Sequence, residues 1–244
     1  MAIKFSRTFL LRKLHQFTGI FPAGLFYFVH LFTNAKAMVG ETVYNEVVAD
    51  IYHIPFLLFI EIFGIYLPLL YHSVYGLVVA AEAKTNVRSY GYWRNWLYLF
   101  QRVTGVFLFI FILFHLLHFR FGSLGGYGLT EIAVAGNADQ AFRIVAADFK
   151  YTGILIFYIL GIGATALHLA YGSFLFVVDW GLISGEKAQK YALYGCAALG
   201  VGLFAVGANS VFAFVRPCGL LPRPVCAQEA PEVSENVNLT EKIK

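Results

Sequence analysis

Charge is scarce in this chain. Only 13% of its 244 residues are Asp, Glu, Lys or Arg, about half the roughly 25% of an ordinary soluble domain, which rules out a water-facing surface of normal extent. Cysteine is scarcer still, with three in all, too few for a disulfide-built secreted domain. There is no H-E-x-x-H, no cysteine pair within an apolar run and no glycine loop of the phosphate-binding kind. Zinc hydrolase, metal–thiolate and nucleotide-binding readings fall away with them. The net charge of +4 comes from Lys and Arg gathered at the ends of apolar runs, without the basic stripe of a nucleic-acid binder. What is abundant is apolar: 59% hydrophobic residues, 18% aromatic residues and 23 glycines, with a mean hydropathy of +0.68. That is the composition of helices packed in a bilayer.

A spanning helix needs about 20 mostly apolar residues, and five segments supply them. The first lies between Lys13 and Lys36, and the second runs from Pro55 to just before Glu82 with one acid, Glu61. The third runs from Trp96 to Arg120, with Gln101 and Arg102 in its first turns; Lys150 and Asp179 bound the fourth, Lys190 and Arg216 the fifth. The runs are continuous and do not alternate polar with apolar, so an all-α integral membrane five-helix bundle is expected, not a barrel. Lys4, Arg7, Arg12 and Lys13 precede the first segment, Lys84, Arg88 and Arg94 follow the second, and Lys187 and Lys190 follow the fourth. The opposite side carries Lys36, Arg120, Arg143 and Lys150. The positive-inside rule then puts the N-terminus in the cytoplasm and the C-terminus outside. The first apolar stretch exceeds a signal-peptide core and no small-residue cleavage site follows it cleanly, so an uncleaved first helix is expected.

Residues 1–215 read as the transmembrane domain, and 216–244, where prolines and acids recur, as an extramembrane tail. Cys218 and Cys226 lie in that tail, as a local disulfide or as two free thiols. Cys196, in the fifth segment, is expected to be a small buried packing residue.

Four of the seven histidines sit inside spans: His30, His72, His115 and His168, one on each of the first four segments. Ionisable groups within a membrane are costly and mark function. A lone one reads as an interhelical hydrogen bond; one on each of four successive helices does not. His30 and His115 lie just before the outer ends of their helices, whereas His72 and His168 lie deeper. The antiparallel order therefore gives an outer pair, His30 with His115, and an inner pair, His72 with His168. Paired imidazoles from facing helices suit axial ligation of a haem iron, and two levels imply two haems.

Two short repeats accompany the pairs. His72 to Gly76 and His168 to Gly172 share H-x-x-Y-G, which puts a glycine four residues after each inner histidine on the same helical face. Thr18-Gly19 and Thr104-Gly105 precede His30 and His115 by about three turns, ~16 Å, so Gly19 and Gly105 reach the inner level. These glycines leave room for a flat macrocycle, and close helix packing through glycine is compatible with the same pattern. The same offset on the second segment falls on Glu61, read either as a quinone proton-exchange group or as an interfacial carboxylate hydrated from outside. His118, one turn beyond His115, competes with it as the outer ligand. His15 and Arg102, near the inner mouth, are candidates for the inner haem's propionates or for lipid headgroups. His53 carries no signal.

The longer motifs are specific. Arg12-Lys13-Leu14-His15 with His30-Leu31, the run from Glu61-Ile62-Phe63 to Tyr71-His72-Ser73-Val74-Tyr75-Gly76, the run from Tyr92-Trp93-Arg94-Asn95-Trp96 to Gln101-Arg102-Val103-Thr104-Gly105 with His115, and Trp180-Gly181 after His168 together reach across the first four helices. In these the sequence resembles the di-haem cytochrome b membrane-anchor subunit of succinate dehydrogenase and fumarate reductase, of the single-anchor type. The resemblance implies two b haems, with His72 and His168 holding the haem nearer the iron–sulfur subunit and His30 and His115 the distal one. It implies docking of a flavoprotein and an iron–sulfur subunit on the cytoplasmic face of a bacterial membrane, and electron delivery to a quinone, menaquinone foremost. The long loop from Phe121 to Lys150 and the tail after Arg216 depart from the family's pattern. Two other readings stand beside this one: a di-haem anchor of another quinone-linked dehydrogenase, such as a hydrogenase or formate dehydrogenase, and a haem-free transporter relaying protons through its histidines. No flavin or dicarboxylate site is visible, so the chain is not expected to oxidise succinate alone.

Overall fold

The structure, a computed structural model, describes residues 6–123, 133–216 and 219–220. α1 (Arg7–Thr18) begins where the Ser6 hydroxyl accepts a hydrogen bond from the Phe9 N–H at 3.2 Å, which satisfies one of the free donors of a helix start. A π-type segment, Gly19–Gly24, joins it to α2 (Leu25–Ala35). The chain leaves helical geometry at Phe21 (φ −126°, ψ 120°) ahead of Pro22, which has no N–H to give to a helix. The first apolar segment, expected as an uncleaved first helix, is therefore two helices across a break.

α3 (Glu41–Tyr52) lies in the connection that follows. α4 (Leu57–Ala81), α5 (Trp93–Arg120), α7 (Thr152–Asp179) and α8 (Glu186–Ala213) are each long and apolar enough to cross a membrane. α6 (Ala141–Phe149) fills part of the loop between α5 and α7. Among the described residues, four helices thus meet the length and composition of a span unaided. α4 and α5 carry π-type stretches at Ile60–Tyr66 and Leu116–Arg120, both at the end that holds Lys36, named outer after the expected orientation. Such stretches gather at functional sites, and these two contain Glu61, His118 and Arg120.

The tightest packing is at the outer end. Ala37, Tyr44, Ala141, Phe149, Tyr158 and Phe214 belong to one buried cluster, where α3 and α6 close over the ends of α5, α7 and α8. α7 and α8 approach through small residues: a Cβ on Gly200 would stand 2.9 Å from that of Ala170, the close backbone contact that glycine permits. α4 is the opposite case, with none of its residues buried.

One expectation needs amending. Cys196 is half-buried rather than buried, because burial along α8 begins only at Gly200, four residues on. Cys218 and Cys226 lie outside the described residues, as does nearly all of 216–244. The described part of the tail rests against α8, where the Leu220 N–H donates to the Asn209 side-chain oxygen at 2.6 Å.

Candidate cofactor-binding site

His72 on α4 faces His168 on α7, with ring centres 6.2 Å apart and planes at 90°. The two rings are held alike. His72 Nδ1 donates to the His15 carbonyl of α1 at 2.9 Å, and His168 Nδ1 donates to the Gln101 carbonyl of α5 at 3.1 Å. A histidine that gives Nδ1–H to a carbonyl has its tautomer fixed, with the Nε2 lone pair open. Among the described residues neither Nε2 carries a hydrogen bond.

The four glycines line the same level. Gly19 lies directly against the His72 ring, and a Cβ on Gly105 would stand 3.1 Å from His168 Cε1. A Cβ on Gly76 would stand 3.0 Å from His15 Cε1, and one on Gly172 would stand 3.2 Å from Gln101 Nε2. Residues 15 and 101 therefore occupy equivalent places in two similar halves, each bordering the glycine of an H-x-x-Y-G motif and each lending its carbonyl to that motif's histidine. The His15 ring stacks on His72 with centres 4.1 Å apart, deeper than the mouth position expected of it. Among the described residues its buried Nδ1 has no partner. Arg102 lies across the Tyr98 ring and donates to the Tyr98 carbonyl at 2.9 Å, while its Nε is likewise buried without a partner.

At the outer level His30 on α2 and His115 on α5 have ring centres 5.6 Å apart at 79°. Among the described residues no backbone acceptor from a facing helix holds either ring. The Asn34 side-chain amide lies 3.3 Å from His30 Nε2 and donates to the His30 carbonyl at 2.8 Å, and His115 Nδ1 is buried without a partner.

His118 is not available as a ligand in this arrangement. Its Nε2 pairs with Asp148 Oδ2 at 2.9 Å and its Nδ1 with the Tyr158 hydroxyl at 3.0 Å, and both His118 and Asp148 are 1% exposed. It pins α6 to α5 and α7. Glu61 pairs with Arg120 at 2.8 Å, its side chain 13% exposed, so it is not a freely hydrated carboxylate. Beside this pair, burial lifts the Tyr52 phenol above its ordinary range; the Arg120 guanidinium opposes that rise, and Glu61 and Tyr66 add to it. His53 is exposed. Sequence reasoning missed the two carbonyl acceptors, which no residue type reveals. It missed the Arg120–Glu61 and His118–Asp148 pairs as well, although opposite charges at the same end of neighbouring segments were a usable signal.

Among the described residues no cluster of three or more His, Cys, Asp or Glu is placed to hold a metal by protein groups alone. Two imidazoles per level suit a metal whose other bonds come from a macrocycle.

No protein-family model matches the chain, and no solved structure matches it. The sequence is 36% identical over 210 residues to the succinate dehydrogenase cytochrome b558 subunit of Bacillus subtilis (strain 168), an alignment that covers 86% of this chain and 98% of that protein. With histidines facing one another at two levels between long apolar helices, the chain belongs to the cytochrome b membrane subunits of succinate dehydrogenase.

Proposed function

We propose that this subunit anchors succinate:quinone oxidoreductase in the bacterial cytoplasmic membrane and carries electrons from the iron–sulfur subunit through two b haems to a quinone, menaquinone foremost. His72 and His168 would hold the inner haem iron, and His30 and His115 the outer one. The observation that carries this reading is the geometry of the inner pair. Two metal–imidazole bonds of about 2 Å each, with the distance from nitrogen to ring centre added on both sides, span about 6 Å, and the centres of His72 and His168 are 6.2 Å apart. Each Nδ1 is held on a carbonyl and each Nε2 is open. The glycines at 19, 76, 105 and 172 border the pair where side chains would crowd a flat group.

When bound, the haems supply one-electron carriers at two depths. The rest is done by the chain. α1 and α5 hold the inner ligands by their carbonyls and so fix the rings before any group is inserted. His15 Nδ1 and Arg102 Nε, both buried without partners, are the donors for the inner propionates. Glu61, paired with Arg120, exchanges protons with the quinone near the outer haem.

The chain crosses the bilayer five times with its N-terminus inside. The broken segment α1–α2 serves as the first crossing, since the Phe21–Pro22 break joins the end of α1 to the apolar α2 and the inner and outer histidine levels are both reached by it. Residues 1–215 are the membrane domain and 216–244 the outer tail. The flavoprotein and iron–sulfur subunits dock on the inner face, where Lys13, Gln16, Asp179 and Trp180 form one polar knot: Lys13 donates to the Asp179 carbonyl at 2.6 Å and Gln16 to its carboxylate at 2.6 Å.

The test is an optical difference spectrum of the purified native complex, reduced by succinate and then by dithionite. We expect b-haem absorption after succinate, increasing with dithionite. Haem reducible by dithionite alone points to another donor complex, and no haem overturns the reading.

A further inference from the structure

The threonines that precede Gly19 and Gly105 touch the same two carbonyls as the inner histidines. Thr18 Oγ1 donates to the Leu14 carbonyl at 2.9 Å and the His15 carbonyl at 3.1 Å. The second of these already accepts from His72 Nδ1 at 2.9 Å. On α5, Thr104 Oγ1 donates to the Phe100 carbonyl at 2.7 Å, with the Gln101 carbonyl at 3.2 Å, and that Gln101 carbonyl accepts from His168 Nδ1. A threonine back-bonded to its own helix is common in membranes and needs no function. Here the back-bonded carbonyl is in both halves the acceptor for a histidine on the neighbouring helix.

The two copies differ in two respects. Thr104 Oγ1 lies 3.2 Å from His168 Nδ1. Its proton is committed to Phe100, so its lone pair faces the ring N–H and acts as a second acceptor. Thr18 makes no such contact among the described residues. Its proton is shared more evenly than that of Thr104, at 2.9 and 3.1 Å against 2.7 and 3.2 Å, so it competes with His72 for the His15 carbonyl and weakens the ring's own bond.

A stronger acceptor at Nδ1 makes an imidazole more basic and favours the oxidised iron. We propose that Thr18 and Thr104 are positioning residues that set the potential of the inner haem in opposite directions, Thr18 raising it by sharing the acceptor of His72 and Thr104 lowering it by adding an acceptor to His168. The proposal rests on the ligand assignment above. It concerns residues that touch no iron and act through the histidines.

The test is a potentiometric titration of the whole complex, following each haem optically and by low-temperature EPR, for T18V, T104V, T18S and T104S. One hydrogen bond is worth about 0.5–1.5 kcal/mol, so each valine variant should change the ratio of reduced to oxidised inner haem at fixed ambient potential by about two- to tenfold. Tenfold corresponds to about 59 mV for one electron. T18V should lower the inner potential and T104V raise it; both serine variants keep the hydroxyl and should titrate as wild type, and the outer haem should not move. Where valine is not accommodated, T18A and T104A remove the same hydroxyl and carry the same expectation. Two haems present with the inner potential unchanged, or moved in the same direction by both variants, overturns the proposal and leaves the ligand assignment standing. A haem count that stays at two in His72→Ala and His168→Ala overturns both.

Discussion

His115 and His118 sit one turn apart on α5, and their surroundings separate their roles. His118 has both ring nitrogens bonded inside a fully buried network with Asp148 and Tyr158, whereas His115 faces His30 with a free buried Nδ1. His115→Ala should therefore leave one b haem per complex by pyridine haemochrome assay. His118→Leu should keep two and lower thermal stability, because it removes the Nε2 donor that Asp148 holds at 2.9 Å, and a lost partner at a buried polar group costs about 1–3 kcal/mol. Glu61 belongs to the same scale. Its carboxylate, paired with Arg120 at 2.8 Å, is the proton acceptor that the proposed function assigns to the quinone. Glu61→Gln removes that acceptor, and general acid–base loss is worth about 100-fold or more. Succinate-driven quinone reduction should fall by that order while succinate still reduces haem. Retained quinone turnover with an unchanged pH profile would refute the role.

The elements bring these residues together through close approach rather than bulk. Gly19 and Gly105 let α1 and α5 lie against the rings of His72 and His168. Gly105→Leu puts a side chain where His168 Cε1 stands 3.1 Å from a bare Cβ position, so the variant complex should assemble with the inner haem depleted and the outer one retained, as EPR of the low-spin signals would report. The pairing of levels was legible in the sequence because histidine is rare and a helical offset converts position into depth. The Thr-Gly and H-x-x-Y-G repeats were legible for the same reason. The carbonyl acceptors were not, since every residue has one and only the packing of α1 on α4 and α5 on α7 selects His15 and Gln101. The first segment reads as one uncleaved helix because its hydropathy is continuous, and Pro22, which allows a local bend, is where the structure breaks it. The outer cap of α3 and α6 was hidden because short helices in loops have no distinctive period, and Asp148, its one buried charge, reads as an ordinary loop acid until its partner is seen.

At the scale of the molecule, packing is uneven. The outer end carries a buried core, whereas α4 buries none of its residues against protein. A chain of this kind gains stability from groups bound between its helices, since a ligand held by the folded form alone shifts the balance toward it. Haem-starved cells should yield a subunit that is cut by protease first in the connection from Glu82 to Tyr92, with α6 and α7 protected longer; equal cutting rates with and without haem would argue against it. The two levels also differ in what a single codon change can undo. His15 and Gln101 hold the inner ligands through a group common to all amino acids, so a change of side chain at either leaves the acceptor in place, and at His15 removes only the donor assigned to the propionates. His30 has for its contact the amide of Asn34, which one substitution deletes. Natural variation within this chain's lineage should therefore erode the outer histidine's surroundings freely, while the inner ones stay the same beneath changing side chains.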